Sequence, residues 1–465
     1  MTLVAGVDCS TQNTKVVVCD AETGEVVREG RAPHPDVTEI DPGLWWQAWQ
    51  QASAGLLDGV EAIAVGGQQH GMVLVDDSGQ PVRDALLWND NRSAKQADVL
   101  IEELGGPQAW ADAIGSVPVA SFTVTKLRWV ADNEPEVADR AVGVMLPHDW
   151  ITHQLRAGDG APTTDRGDAS GTGYWSPAQD DYRLDLLRTA FGRELQVPRV
   201  AGAQEAVGET AEGILLAPGT GDNMGAALGL ELDPGDVVVS LGTSGTVFAV
   251  ADRSTSDPSG IIAGFADATG RFLPLACTLN AARVIGAALH MVGSELADLD
   301  RLALSVPDTE GLVLLPFLDG ERTPALPDAK GLLHGLTRAN ATPAHLVRAS
   351  VEGMLCGLSD AVDALGTSGV APQRIVLIGG AARSTAVQQI AAGLFDLPVS
   401  VPEPAEYVAL GAARQAAWTL SQAETPPEWS RGESVVLPDR DSADHYRRVR
   451  SSYSSVLSGA QPLLR

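Results

Sequence analysis

Two aspartates occupy positions where a carboxylate could take part in chemistry. Asp222 lies within Gly219-Thr-Gly-Asp222-Asn-Met-Gly225, after a glycine-rich bend and ahead of a small-residue stretch, Gly225–Leu230, that could be helical. In phosphoryl transfer the protein mainly positions the nucleophile and steadies charge, and one carboxylate suffices to take the hydroxyl proton. The same residue could instead cap a helix, a place Asp favours. The glycines at 219, 221 and 225 suggest crowding by something close by. Asp8 ends the apolar run Leu3–Val7 and precedes Ser10-Thr-Gln-Asn13. It could orient the water shell of a Mg²⁺, which keeps several waters and needs few carboxylates. It could equally bond its own turn backbone.

Two loops in the first half offer hydroxyl-binding groups. Gly66-Gly-Gln-Gln-His-Gly71 presents Gln69 and His70 between apolar runs, and Trp88-Asn-Asp-Asn-Arg92 follows another such run. Amides, an imidazole and a carboxylate mix donors with acceptors, and an indole can cover the apolar face of a sugar. Two loops in the second half suit phosphate. Ser240-Leu-Gly-Thr-Ser-Gly245 holds Gly242 and Thr243, where glycines admit close approach and N–H groups and hydroxyls donate. No Lys follows those glycines, so this is not a Walker A loop, and a plain hairpin turn also fits. Gly379 and Gly380 follow an apolar run and precede a helical pattern, which lets a nucleotide lie against a helix N-terminus.

These residues need elements to hold them. Leu3–Val7 and Lys15–Cys19 read as strands about a polar turn, and Val237–Ser240 with Thr246–Val250 repeats that pattern. Laid on each other, Asp8–Asn13 meets Ser240–Gly245, with Thr11 upon Thr243. Two such openings about half the chain apart suggest a duplicated α/β lobe. Thr342-Pro343 reads as an N-cap and first helical residue, and apolar residues from Leu346 to Val362 follow at helical spacing. Arg374–Ile378 reads as a buried strand, Thr385–Phe395 and Tyr407–Trp418 as helices, Pro426–Asp441 as a loop, and Asp444–Leu457 as a last helix. Strands interleaved with helices indicate mixed α/β layers.

Composition bounds the setting. Over 465 residues, 44% hydrophobic and 20% charged content is ordinary for a globular chain. No run approaches the roughly 18 apolar residues of a spanning helix. Thirty-two basic against 60 acidic residues leave a net charge of −28, which opposes nucleic acid and anionic membrane as partners. The N-terminus lacks a basic region before its apolar run, and Cys9, Cys19, Cys277 and Cys356 form no paired motif. A cytoplasmic setting is expected.

In order and spacing, these segments resemble the FGGY family of carbohydrate kinases, and within it the members acting on D-xylulose. The resemblance runs from Val4-Ala-Gly-Val-Asp8 through Gly67–Gly71, Trp88–Arg92, Gly221-Asp222-Asn223 and Ser240–Gly245 to Gly320-Glu-Arg-Thr-Pro324 and Gly379-Gly-Ala-Ala-Arg383. It implies an α/β fold of two actin-like, ribonuclease-H-like lobes, over 1–232 and 233–425, with the cleft between them taking nucleotide and sugar. A loop and helix over 426–465 could pack back on the first lobe. It further implies transfer of the γ-phosphate of ATP to the 5-hydroxyl of D-xylulose, with Asp222 as base and Asp8 associated with Mg²⁺. Gln69, His70, Trp88, Asp222 and Asn223 would meet the sugar; Thr11, Gly242, Thr243, Gly379 and Gly380 would meet the nucleotide. A homodimer is the oligomer the resemblance brings. Position 69 is Gln where members acting on D-xylulose often have Met, and Ala381 stands where a third glycine is common. The rival readings are the same chemistry on ribulose, another ketose or glycerol, and an actin-like structural or chaperone ATPase.

Overall fold

The computed structural model describes residues 1–156, 160–324, 326–429, 432–460 and 464. Contacts divide the chain into two units. One comprises Met1–Leu232, Asp252–Leu273 and Ala405–Ser430, and the other Asp233–Ala251, Pro274–Pro404 and Arg431–Arg465.

The first unit is built on β1 (Leu3–Cys9), β2 (Asn13–Asp20) and β3 (Val26–Pro33), an antiparallel meander. Helix α1 (Pro42–Ser53) follows, started by Asp41, whose side chain accepts from the Gly43 N–H. Strand β4 (Val60–Gly67) then lies parallel to β1. Both are buried nearly throughout, as expected for central strands covered on two faces. On one face Trp45, Trp49 and Ala52 of α1 pack against Val7, Val16, Ile63 and Val65. On the other, Ala409, Leu410, Ala413 and Ala416 of the helix Tyr407–Ser421 pack against Val4, Val17, Ala62 and Ala64. Full burial of one such Val or Leu contributes about 1.5–3 kcal/mol.

Further along come α2 (Pro147–Leu155), the five-residue α3 (Arg166–Ser170), β5 (Gly208–Glu209) and β6 (Leu215–Leu216). They lead to β7 (Thr220–Gly221) and α4 (Asp222–Gly229). Strand order is β5-β6-β4-β1-β2-β3, with β7 also pairing β4. Register decides what meets. Asp8 pairs Gly66 across β1 and β4, and Thr220 pairs Gly66 across β7 and β4, all parallel. Three strands therefore end at one sheet edge, the usual place for ligands in parallel α/β sheets.

The second unit repeats the plan with β8 (Asp236–Leu241), β9 (Gly245–Ala249) and all but the first two residues of β10 (Phe272–Thr278), again antiparallel neighbours. Helix α5 (Pro343–Thr367) precedes β11 (Arg374–Ile378), which lies parallel to β8. Thr342 caps α5 by accepting from the His345 N–H. Helix α6 (Thr385–Phe395) leads to β12 (Val399–Pro402), parallel to β11. Both units thus order a three-strand meander, a parallel strand and another parallel strand, so the duplicated opening belongs to a duplicated sheet. The stretch 426–441, expected as loop, contains strand Glu433–Val436. It pairs antiparallel along β12, a tertiary partner that four local residues do not announce.

Candidate active site

At the shared edge of the first sheet, Asp222 opens α4. The N-cap is Gly221, one residue earlier, and Asp222 stands in the first turn, where a carboxylate favours the helix dipole. Its Oδ1 accepts from the Asn223 backbone N–H at 2.8 Å and from Asn223 Nδ2 at 2.8 Å. Asn223 Nδ2 also donates to Gln69 Oε1 at 3.1 Å. Gln69, Asp222 and Asn223 form one hydrogen-bonded set. Gln69 is buried, and its Nε2 finds no hydrogen-bond partner among the described residues. An amide donor left this way costs free energy until something accepts from it.

His70 sits beside that set at φ 67°, and its Nδ1 lies 2.6 Å from the Gly171 carbonyl oxygen. A carbonyl only accepts, so Nδ1 carries a proton. The ring stacks on Phe122 with centroids 4.8 Å apart. Trp88 is partly exposed and donates its indole N–H to Thr11 Oγ1 at 2.8 Å. The structure therefore joins two residues that sequence assigned to different ligands.

Asp8 is 3% exposed, and its Oδ2 accepts from Ser10 Oγ at 3.2 Å and meets Lys15 Nζ at 3.3 Å. Lys15 also pairs with Glu406 at 2.6 Å. Asp8 Oδ1 is buried without a partner among the described residues. Burial raises the Asp8 carboxyl, and Lys15 pulls it back. Burial, then the charge of Asp8, pushes Asp222 up to about 7, and hydrogen bonds from Asn223 oppose this. Asp222 is only half-buried, so solvent at its open side screens part of that cost.

The glycines around Asp222 are crowded by protein. A Cβ on Gly219 would lie 2.6 Å from His148 Cδ2, and one on Gly221 would lie 2.8 Å from Gln69 Cγ. Gly225 serves helix packing, since a Cβ on Gly411 would lie 1.8 Å from the Gly225 carbonyl oxygen.

In the second unit, Ser240 pairs Ile378 across β8 and β11, so Gly242–Thr243 and Gly379–Gly380 leave the sheet at one edge. Thr243 is exposed, and the Gly242 carbonyl accepts from the Ala282 N–H at 2.9 Å. Gly379 adopts φ 94°, and a Cβ there would lie 2.6 Å from the Leu241 carbonyl oxygen. A Cβ on Gly380 would meet nothing within 4 Å, leaving room beside the chain. Ala381 is buried, so its methyl packs into the unit.

The profile described as the FGGY family of carbohydrate kinases, N-terminal domain, matches residues 3–229, and the C-terminal domain profile matches residues 237–420. The chain is 46% identical to a xylulose kinase of Streptomyces coelicolor, over 99% of this chain and 97% of that protein. It belongs to the FGGY family of carbohydrate kinases. Its structure is similar to that of the xylulose kinase from Bifidobacterium adolescentis, with TM-score 0.90, 43% identity and coverage of 98% and 99%. It shares the fold of Plasmodium falciparum glycerol kinase with ADP at TM-score 0.87, 18% identity and coverage of 99% and 98%.

Behind this FGGY site lies a buried cluster that sequence reading missed. His148 Nδ1 is 2.6 Å from Asp168 Oδ2, and His148 Nε2 is 3.3 Å from Asp149 Oδ1, all three nearly inaccessible. Burial would lower the imidazole, but the two carboxylates outweigh it and push His148 up to about 9. Burial raises Asp149 and Asp168, and the imidazolium restrains both. The available signal was two polar stretches, Pro147-His-Asp-Trp150 and Thr164-Asp-Arg-Gly-Asp168, lying among buried residues. Lys15 and Glu406 were also missed, because 391 residues separate them.

Proposed function

We propose that this FGGY kinase transfers the γ-phosphate of ATP to the 5-hydroxyl of D-xylulose, giving D-xylulose 5-phosphate and ADP. The observation that carries this reading is the hydrogen-bonded set of Gln69, Asn223 and Asp222 with His70 beside it. A ketose hydroxyl next to Gln69 would satisfy its partnerless Nε2. The relatives named xylulose kinase at 46% identity support D-xylulose as the acceptor.

Asp222 takes the proton of the attacking hydroxyl, and its bonds to Asn223 hold one carboxylate oxygen in place. Gln69, His70 and Asn223 orient the sugar, while Trp88 and Thr11 form a linked wall. Backbone N–H groups near Gly242–Thr243 and Gly379–Gly380 receive phosphate oxygens, and no global positive field assists them, because the chain carries −28. Asp8 suits a magnesium's water shell: it offers a buried carboxylate oxygen that lacks any other partner among the described residues. A magnesium held there would neutralise phosphate charge. Asp8 would hold those waters, and Lys15 holds Asp8.

A cytoplasmic setting fits this reading, since no disulfide joins the four cysteines. Among the described residues no helix is long and apolar enough to cross a membrane.

Coupled ADP release across pentuloses, hexuloses and polyols tests the proposal. D-Xylulose should give the highest kcat/KM. A higher value with ribulose or glycerol would move the assignment to that acceptor, and no stimulation by any sugar would sink it.

A further inference from the structure

The short helix α3 touches both halves of the sugar site. Asp165, 2% exposed, caps it: Oδ1 accepts from the Asp168 N–H at 2.8 Å and Oδ2 from the Gly167 N–H at 3.0 Å. Such a cap leaves lone pairs to spare on an ionised carboxylate. Oδ2 also accepts from Thr220 Oγ1 at 2.7 Å, and Thr220 is fully buried in β7, two residues before Asp222. At its other end α3 runs into Gly171, whose carbonyl orients the His70 ring at 2.6 Å. A Cβ on Gly171 would lie 2.9 Å from His70 Cε1 and 3.2 Å from Gln69 Nε2, so backbone touches the sugar loop directly. Asp168, within α3, adds the 2.6 Å bond to His148, whose ring bounds Gly219 on the approach to β7.

The two residues that bracket this five-residue helix, Asp165 and Gly171, are thus hydrogen-bonded to the strand that leads into Asp222 and to the ring of His70. We propose that Asp165 is a positioning residue: through Thr220 it sets the strand β7 that leads into Asp222, and through α3 it holds that strand in register with His70. The inference rests on Asp222 and His70 serving the reaction proposed above. Local distances favour it over a merely structural reading. A helix cap needs only the two N–H bonds, and the Thr220 hydroxyl adds a third that leads to the site. Misplacing a reacting group by about 1 Å can cost on the order of 100-fold in rate.

Thr220 tests this, because Thr220→Val removes the hydroxyl and keeps the shape. Sugar phosphorylation is measured for Thr220→Val, Thr220→Ser, Asp165→Asn and the Thr220→Val/Asp165→Asn double variant, alongside ADP affinity and melting temperature. Thr220→Val should lower kcat by about 10- to 100-fold. ADP affinity should stay within about twofold, because the phosphate-suited loops lie in the other unit. Thr220→Ser should recover activity to within about threefold, and the double variant should be no worse than the poorer single one. An active Thr220→Val enzyme within twofold of wild type would overturn the inference, as would a Thr220→Ser variant equally impaired or a double variant whose losses multiply. If Thr220→Val does not fold, the milder Thr220→Ser and Asp165→Asn carry the test. Asp165→Asn with full kcat, or with loss only in proportion to its unfolded fraction, overturns it. Wild type that phosphorylates no sugar would refute the proposed function instead, which separates the two failures.

Discussion

Replacing Asp222 by Asn removes one charge while keeping the local shape. The carboxylate Oδ1 now accepts two bonds from Asn223, each 2.8 Å, and the amide oxygen of an Asn can accept both. What is lost is the capacity to take a proton. Positioned bases contribute about 10²–10⁴-fold, which at about 1.4 kcal/mol per decade is about 2.7–5.5 kcal/mol of barrier. Asp222→Asn should therefore lower kcat by that factor, and the KM for sugar should move little because Gln69 and His70 remain. The pH profile provides a second readout. Only the ionised carboxylate accepts a proton, and burial with the Asp8 charge pushes Asp222 up to about 7. Wild-type kcat/KM should rise with pH through about 7, and residual activity of the variant should lack that limb. Stability should move the other way. A carboxyl raised in the folded state binds protons that the unfolded chain has released, so stability falls as pH climbs from about 4 to about 7. Asp222→Asn escapes this and should melt above wild type at pH 8. Coupled ADP release and calorimetry at pH 5.5 to 9 make the measurement. Activity within threefold of wild type would refute Asp222 as base; a slow variant that keeps the acid limb would refute its assignment to Asp222.

Lys15→Met should strand the buried Asp8 carboxylate and cost about 1–3 kcal/mol in urea denaturation. Because the loss raises the Asp8 carboxyl further, that deficit should grow from pH 4 to pH 8; a deficit independent of pH would contradict the pairing. Gly411→Ala should destabilise by at least about 1–3 kcal/mol, since its methyl would lie 1.8 Å from the Gly225 carbonyl oxygen, and a wild-type denaturation midpoint would show that the two helices can part without cost. His70→Ala should raise the KM for sugar about ten- to hundredfold with the KM for ATP unchanged; equal changes in both would argue that the ring shapes the fold and not the sugar site.

Much of the site could be read from local chemistry. Asp8 stands one residue before the end of a continuously buried strand, and such a strand must end where polar residues begin. The loops carrying Gln69, His70, Thr243 and Gly379 follow strands for the same reason. Capping was legible to within a residue: Thr342 caps α5 as its sequence requires, whereas the cap of α4 is Gly221 and not Asp222. That difference matters, because it leaves the Asp222 carboxylate one place into the helix, bonded to Asn223.

Partners far apart in sequence were decided by the fold. The glycines at 219, 221 and 225 announced close approach, but sequence does not say to what; the answers are His148, Gln69 and the helix Tyr407–Ser421. Lys15 meets Asp8 across the antiparallel pair β1–β2, but it meets Glu406, and Thr220 meets Asp165, only because the tertiary fold brings them together. Ionisation belongs to the same class. A lone sequence offers Asp222 as an ordinary carboxylate, while burial beside Asp8 moves it toward neutral pH. The chain by itself thus determined which residues could do chemistry and at which strand ends they stand, since periodicity and turn chemistry are local. Tertiary structure alone decided which of them meet and what charge they carry, since hydrogen bonding and desolvation depend on neighbours hundreds of residues away.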